Sequence, residues 1–217
     1  MKKTLFLILA LVLCLSLCAC GDVTVNTYYF KELKYEKDDF SNVEYYFQDD
    51  GWGGVIVPTK INYVLNGFSE TTYFLRWEGF SIFSVVKHEE NADLPYRLEC
   101  TLRFNEGEHN TDYPLFEFNS IVFSTDKHTY TIPNLIETNE KGVNIIRLGK
   151  VGKNMLEDIV SCEEVKIRLI NTYTGDIKDI QVDSDLFTSA LNTALIFEKC
   201  GCMEYNFKNY ETKIEVE

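Results

Sequence analysis

The stretch Tyr96-Arg97-Leu98-Glu99-Cys100-Thr101-Leu102-Arg103-Phe104 decides the fold. Tyr96, Leu98, Cys100, Leu102 and Phe104 fall on one side, and Arg97, Glu99, Thr101 and Arg103 on the other. Successive side chains of a strand point to opposite faces, so this alternation describes a strand with one face against a core and the other toward water. A helix would scatter the same apolar residues around its girth. Cys100, on the apolar side, reads as a buried thiol.

The signal continues to either side. From Thr27 to Gly149, short runs of Tyr, Phe, Val, Ile and Thr are separated by Asp, Asn and Gly, which is strand-and-turn punctuation. Strands are expected over Asn62–Asn66, Thr71–Trp77, Phe80–Lys87 and Gly142–Leu148. A hairpin is expected from Phe116–Ser124 and Lys127–Ile132, turning at Thr125-Asp126. Beyond Gly149 the period changes. Met155, Leu156, Ile159 and Val160 recur at helical spacing within Lys153–Ser161. Glu163–Asn171 alternates again, with Val165, Ile167 and Leu169 against Lys166 and Arg168; Gly175-Asp176 turns the chain and Ile177–Val182 returns. Leu186, Phe187, Ala190, Leu191, Ala194 and Leu195 then form one apolar stripe. Asp183, Ser184 or Asp185 is placed to cap the start of that helix, and Gly201 to end it.

A helix with a single apolar stripe must cover a sheet face or its end. The expected class is therefore α+β: mainly antiparallel sheet, with helices near 153–161 and 184–199. A β-sandwich with helical additions is the alternative. No Gly/Ser-rich tract divides the chain, so a single globular unit is expected over 27–210, β-rich through 149 and β/α from 150.

The N-terminus has another character. Lys2 and Lys3 precede a nearly apolar run, Thr4 to Leu17, and then the small Ala19. That is the order of a secretory signal, and the run is short of the ~20 residues that a membrane span needs. Leu17-Cys18-Ala19-Cys20 resembles the lipobox of bacterial lipoproteins, in which a leucine and a small residue precede a cysteine whose thiol receives a diacylglycerol. The resemblance implies that residues 1–19 are a signal peptide cleaved after Ala19. It implies too that Cys20 is the lipidated residue, that 20–26 is a tether, and that the protein is held at the extracytoplasmic face of the cell membrane. Cys18 departs from the alanine or serine usual at its position but is still small; Cys14 and Cys18 read as apolar filler. Two acyl chains anchor stably where one binds only marginally. The strand–helix order of the last third is also similar to that of small bacterial surface lipoproteins, a similarity of pattern that implies no activity.

Removal of residues 1–19 leaves 198 of the 217 residues and takes the formal net charge from −13 to −15. So acidic a surface argues against nucleic acid as a partner and permits a cationic one. No Gly-x-Ser-x-Gly elbow and no phosphate-cradling glycine loop occurs. The three histidines, His88, His109 and His128, have no ligand spacing around them, so neither a metal nor a cofactor is expected. Cys162, Cys200 and Cys202 lie at predicted helix ends and are candidate disulfide partners. The strongest recognition features are the aromatic clusters around Tyr29 and Tyr45, and Trp52 on a glycine-rich turn; Tyr29, Tyr45 and Trp52 are the candidate recognition residues. The resulting expectation is a non-catalytic binding module for protein, peptide or glycan. The alternatives are an acidic inhibitor of a cationic envelope enzyme and a hydrolase without a recognisable motif.

Overall fold

The expected strand at Tyr96 runs as β6, Tyr96–Gly107, and pairs antiparallel with β5, Trp77–His88, along its whole length, from Trp77↔Gly107 to His88↔Tyr96. The computed structural model describes residues 25–38, 40–48, 61–65, 68–72, 77–107, 116–137, 143–204 and 210–217. The other strands are β1 (Lys34–Asp38), β2 (Val43–Phe47), β3 (Ile61–Leu65), β4 (Phe68–Thr72), β7 (Ser120–Ser124), β8 (Thr129–Ile132), β9 (Ile136–Glu137), β10 (Val143–Arg147), β11 (Glu164–Ile170), β12 (Ile177–Asp183) and β13 (Glu215–Val216). The helices are α1 (Lys150–Val160) and α2 (Thr188–Lys199), the second entered through a 3-10 turn at Ser184–Phe187. Two antiparallel sheets result, a six-stranded one in the order β1-β2-β5-β6-β10-β9 and a seven-stranded one in the order β13-β8-β7-β11-β12-β3-β4. The molecule is α+β and sandwich-like.

Alternation builds the core. Phe80, Ile82 and Val86 of β5 and Leu98, Cys100, Leu102 and Phe104 of β6 point inward from the six-stranded sheet. Ile121 and Phe123 of β7, Val165, Ile167 and Leu169 of β11, and Ile180 and Val182 of β12 do so from the other. The helices complete the cluster with Met155, Leu156 and Ile159 of α1 and Ala190, Ala194 and Phe197 of α2. Phe187 joins the layers: its ring lies 6.2 Å from Phe80 of one sheet and 5.9 Å from Phe123 of the other. Among the inward strand positions described, one carries a charged side chain. Lys178 of β12 is fully buried, its ammonium 4.4 Å from the Phe104 ring centre and 5.8 Å from that of Phe116. The alkyl stem packs as a hydrophobe and the charge sits against ring faces.

The ends of the second helix follow the sequence. Asp183 Oδ1 accepts from the Asp185 amide at 3.0 Å. Gly201 takes φ +79°, the left-handed conformation that stops a helix at little cost only for glycine. Two boundaries move. Of the strand expected at Thr71–Trp77, Thr71 and Thr72 end β4, which starts at Phe68 in register with β3, and Trp77 opens β5; 73–76 lie outside the described residues. The strand expected from Phe116 starts at Ser120. Asn119 precedes it, holding Thr172 through both ends of its side-chain amide. The Tyr28-Tyr29-Phe30 cluster is not on a strand but on a 3-10 turn, Thr27–Glu32, capped by Asn26. The charged C-terminus, outside the expected 27–210 unit, pairs with β8 as β13.

Candidate functional site

The outward side of β11 and β12 carries the side chains that alternation excludes from the core. Hairpin pairing from Glu164↔Asp183 to Ile170↔Ile177 sets them in rows. The turn that fixes this register holds itself together. Asn171 Oδ1 accepts from the amides of Tyr173 and Thr174, and Gly175 adopts φ +81° with open space where a Cβ would stand. β7 lies on the other flank of β11, with Ser124 opposite Lys166 and Val122 opposite Arg168. One row is thus Ser124–Lys166–Gln181 and the next Val122–Arg168–Asp179, crossing three strands. Neighbouring strands are ~4.8 Å apart, so each row is about 10 Å wide.

These residues line a shallow open depression of about 530 Å³, in which Val122 and Ile170 supply apolar floor. Arg168 grips Asp179 bidentately, Nε to Oδ1 at 2.6 Å and Nη2 to Oδ2 at 2.7 Å. That bond raises the guanidinium's pKa further, so the pair stays charged and mutually neutralised. Gln181 Nε2 donates to Glu164 beside the depression, which leaves its amide oxygen to accept. Lys166 is exposed and has no ion-pair partner among the described residues.

Two further clusters repeat one chemistry. Glu44 of β2 accepts from Tyr35 at 3.1 Å and Tyr46 at 3.1 Å and meets His88 Nδ1 at 2.8 Å. The His88 contact first, then the tyrosine hydroxyls, hold its carboxyl below the usual range, against burial. The His88 ring stacks on Tyr96 at 4.3 Å, and Phe30 stacks on Tyr46 at 4.8 Å. Asp158 of α1 accepts from Tyr130 at 2.6 Å, meets His128 Nδ1 at 2.6 Å and pairs with Lys127 at 3.4 Å. Tyr130 first, then His128, hold its carboxyl low, and burial first, then the bond to Asp158, pushes the Tyr130 hydroxyl up. Both clusters tie elements together: Glu44 binds β1 and β5 to β2, and Asp158 binds α1 to the β7–β8 hairpin.

The expected recognition residues do not converge. Tyr29 is half-buried against the core, with the Lys199 ammonium 4.1 Å from its ring centre. Tyr45 is half-buried on the outward face of β2, opposite Glu36 and Lys87, while Tyr46 turns inward. Trp52, His109 and the leader through Cys20 lie outside the described residues. Fully exposed rings stand at hairpin turns instead: Phe40 after β1 and Tyr173 after β11, the latter 86% exposed.

Cys100, Cys162, Cys200 and Cys202 are free, buried thiols, so no bridge ties the helix ends. Cys100 contacts Ser84, and burial pushes its thiol up to about 12. Burial likewise pushes Cys200 up to about 11 and Cys202 upward. None of these three is a thiolate at neutral pH.

Alternation alone places Lys166 and Arg168 only on the wet side of a strand. It does not identify their cross-strand partners Ser124, Asp179 and Gln181. The signal that could have found them is the turn between Asn171 and Asp176, which sets the register of the two strands. Among the described residues, no group of His, Cys, Asp and Glu could hold a metal ion, and no helix is long and apolar enough to cross a membrane. No protein-family model, curated protein or solved structure matches the chain.

Proposed function

We propose that this protein is a non-catalytic binding module, tethered to the extracytoplasmic face of the cell membrane through a lipid on Cys20, that takes its ligand on the solvent face of the seven-stranded sheet. The observation that carries the binding role is the depression spanning β7, β11 and β12. Its side chains are ones that hold rather than react: a hydroxyl, an amide, an ammonium and a guanidinium locked to a carboxylate. They project from paired strands, so their spacing is fixed before a ligand arrives and little ordering is needed on binding. The tether rests on the lipobox resemblance at Leu17–Cys20.

The test has two arms. The full chain and a Cys20→Ser variant are fractionated in the producing cell. The wild type is expected in the membrane fraction and the variant in the soluble one; equal membrane retention of both refutes the anchor. Separately, a double Arg168→Ala, Gln181→Ala variant is compared with wild type for capture of envelope material. Undiminished capture by a folded variant refutes the face as the binding surface.

A further inference from the structure

Resting on that reading of the sheet face, the geometry points to an acidic glycan as the ligand, a polysaccharide bearing carboxylates, with Lys166 as the residue that holds the anionic group. The chain as a whole is strongly acidic, at −13. The depression is not: its charged lining is Lys166, Arg168 and Asp179, two cations against one anion. Arg168 and Asp179 cancel through their bidentate bond, which leaves Lys166 as the uncompensated charge. Ser124 and Gln181 flank it directly in the sheet, one on each neighbouring strand.

The next acids on the same face are Glu164 and Asp183, which stand opposite each other one step along the strands and outside the depression. Glu164 is engaged by Gln181 Nε2. An ammonium beside a hydroxyl and an amide oxygen matches a carboxylate with hydroxyls on the neighbouring ring atoms. The charge complementarity is local: a cation set within an acidic surface attracts an anionic group only when that group is placed on it. The acidic surroundings disfavour anions bound elsewhere on the domain.

A sheet face also suits a glycan better than a peptide. An extended peptide gains its affinity from backbone hydrogen bonds along a strand edge. The middle of a face offers side chains alone, and β7, β11 and β12 are all interior strands of their sheet. Planar polar side chains over a small apolar floor can meet hydroxyls, a carboxylate and the apolar side of a sugar ring together.

The experiment is affinity electrophoresis and titration calorimetry of the folded chain against polygalacturonate, neutral dextran and poly-L-glutamate. Polygalacturonate alone is expected to bind. Lys166→Glu should weaken it about tenfold or more, the loss expected when a charge-assisted bond becomes a repulsion. Lys166→Arg should retain it. Ser124→Ala with Gln181→Ala should weaken it without altering the melting temperature.

Equal binding of dextran overturns the anionic ligand, and equal binding of poly-L-glutamate overturns the glycan. In either case the binding-module reading survives if Lys166→Glu or Gln181→Ala still changes affinity. Polygalacturonate binding indifferent to every variant overturns the site. Failure of all three polymers overturns the ligand class, while the capture assay described above decides separately whether the face binds anything.

Discussion

The outward faces of the two sheets differ in what lies over them. On the six-stranded sheet, Val43, Phe47 and Val143 point away from the shared core and are nevertheless buried. Phe47 packs on Phe83 at 5.4 Å. Tyr210, from the C-terminal segment, lies across the same face. Its hydroxyl donates to Glu99 at 2.9 Å, and its ring centre is 4.9 Å from the Arg147 guanidinium and 5.9 Å from that of Arg97. On the seven-stranded sheet, Glu164, Lys166, Arg168, Gln181 and Asp183 are all exposed. Among the described residues, the outward face of β2 and β10 is covered, and that of β11 and β12 is exposed. The outward positions of the six-stranded sheet include Val43, Phe47, Phe83 and Val143, where those of β11 and β12 are charged or polar, so the difference begins in the strands' own sequences and bears on which face is free to meet a partner.

The same contrast recurs between the two histidine clusters. Glu44 and His88 close one under stacked rings, and the His88 side chain is 20% exposed. Asp158 and His128 form the other at an open hairpin, and the His128 side chain is 46% exposed. The chemistry is alike and the enclosure is not.

The largest effect is expected where both faces share support. Phe187→Ala removes the ring that touches Phe80 and Phe123, and should cost about 3–5 kcal/mol by calorimetric or denaturant unfolding. It should destabilise the two sheets as one cooperative unit. If it instead splits unfolding into two transitions, the sheets have separate cores and the comparison between their outer faces loses its common base. Next comes the cover itself. Tyr210→Ala should cost about 2–3 kcal/mol, through lost packing on the two arginines and the lost hydrogen bond to Glu99. Tyr210→Phe should cost about 1 kcal/mol, since only the hydrogen bond is removed. A cost near zero for both would mean that the six-stranded sheet is as open as the other.

Asp158 tests the margin between closed and open. Asp158→Asn should cost about 1–3 kcal/mol at neutral pH, measured by urea unfolding, because Tyr130, His128 and Lys127 lose a charged acceptor. Its folded pKa lies below its unfolded value, so its contribution is complete above the unfolded pKa of ~3.9 and disappears as the pH falls through the folded one. Wild type and variant should therefore converge in stability once the pH falls below the folded pKa. A gap that persists in strong acid would show that packing, not charge, carries the contact.

How much of this was legible beforehand depends on the range of the interaction. Periodicity over Tyr96–Phe104 and Glu163–Asn171 reports which side of a strand is apolar, and both strands formed as read. The stripe from Leu186 to Leu195 and the stop at Gly201 are local too. The recognition residues were not local. Tyr29 is an aromatic on a short turn, and only its packing against α2 determines that Lys199 covers it. Lys178 occupies an inward position that the alternation of β12 assigns to the core, and nothing within its own strand foretells the Phe104 and Phe116 rings that receive it. The contact of Tyr210 with Glu99 spans 111 positions, beyond the reach of any local pattern.

The smallest effect belongs to the open face, and its smallness is what makes it informative. Arg168 and Asp179 form a bidentate ion pair, yet their side chains are 52% and 36% exposed. Water competes for both groups, and exposed pairs contribute only ~0–1 kcal/mol. Arg168→Ala should therefore shift the melting temperature by less than about 3 °C, where 1 kcal/mol corresponds to ~2–4 °C at this size. The same substitution leaves Asp179 unneutralised beside Lys166 and so should change what the depression binds far more than how well the domain folds. A melting shift as large as that of Tyr210→Ala would mean that the pair is a structural clasp. The seven-stranded sheet would then need its outward side chains for stability, as the six-stranded one does, and the distinction between the two faces would fail.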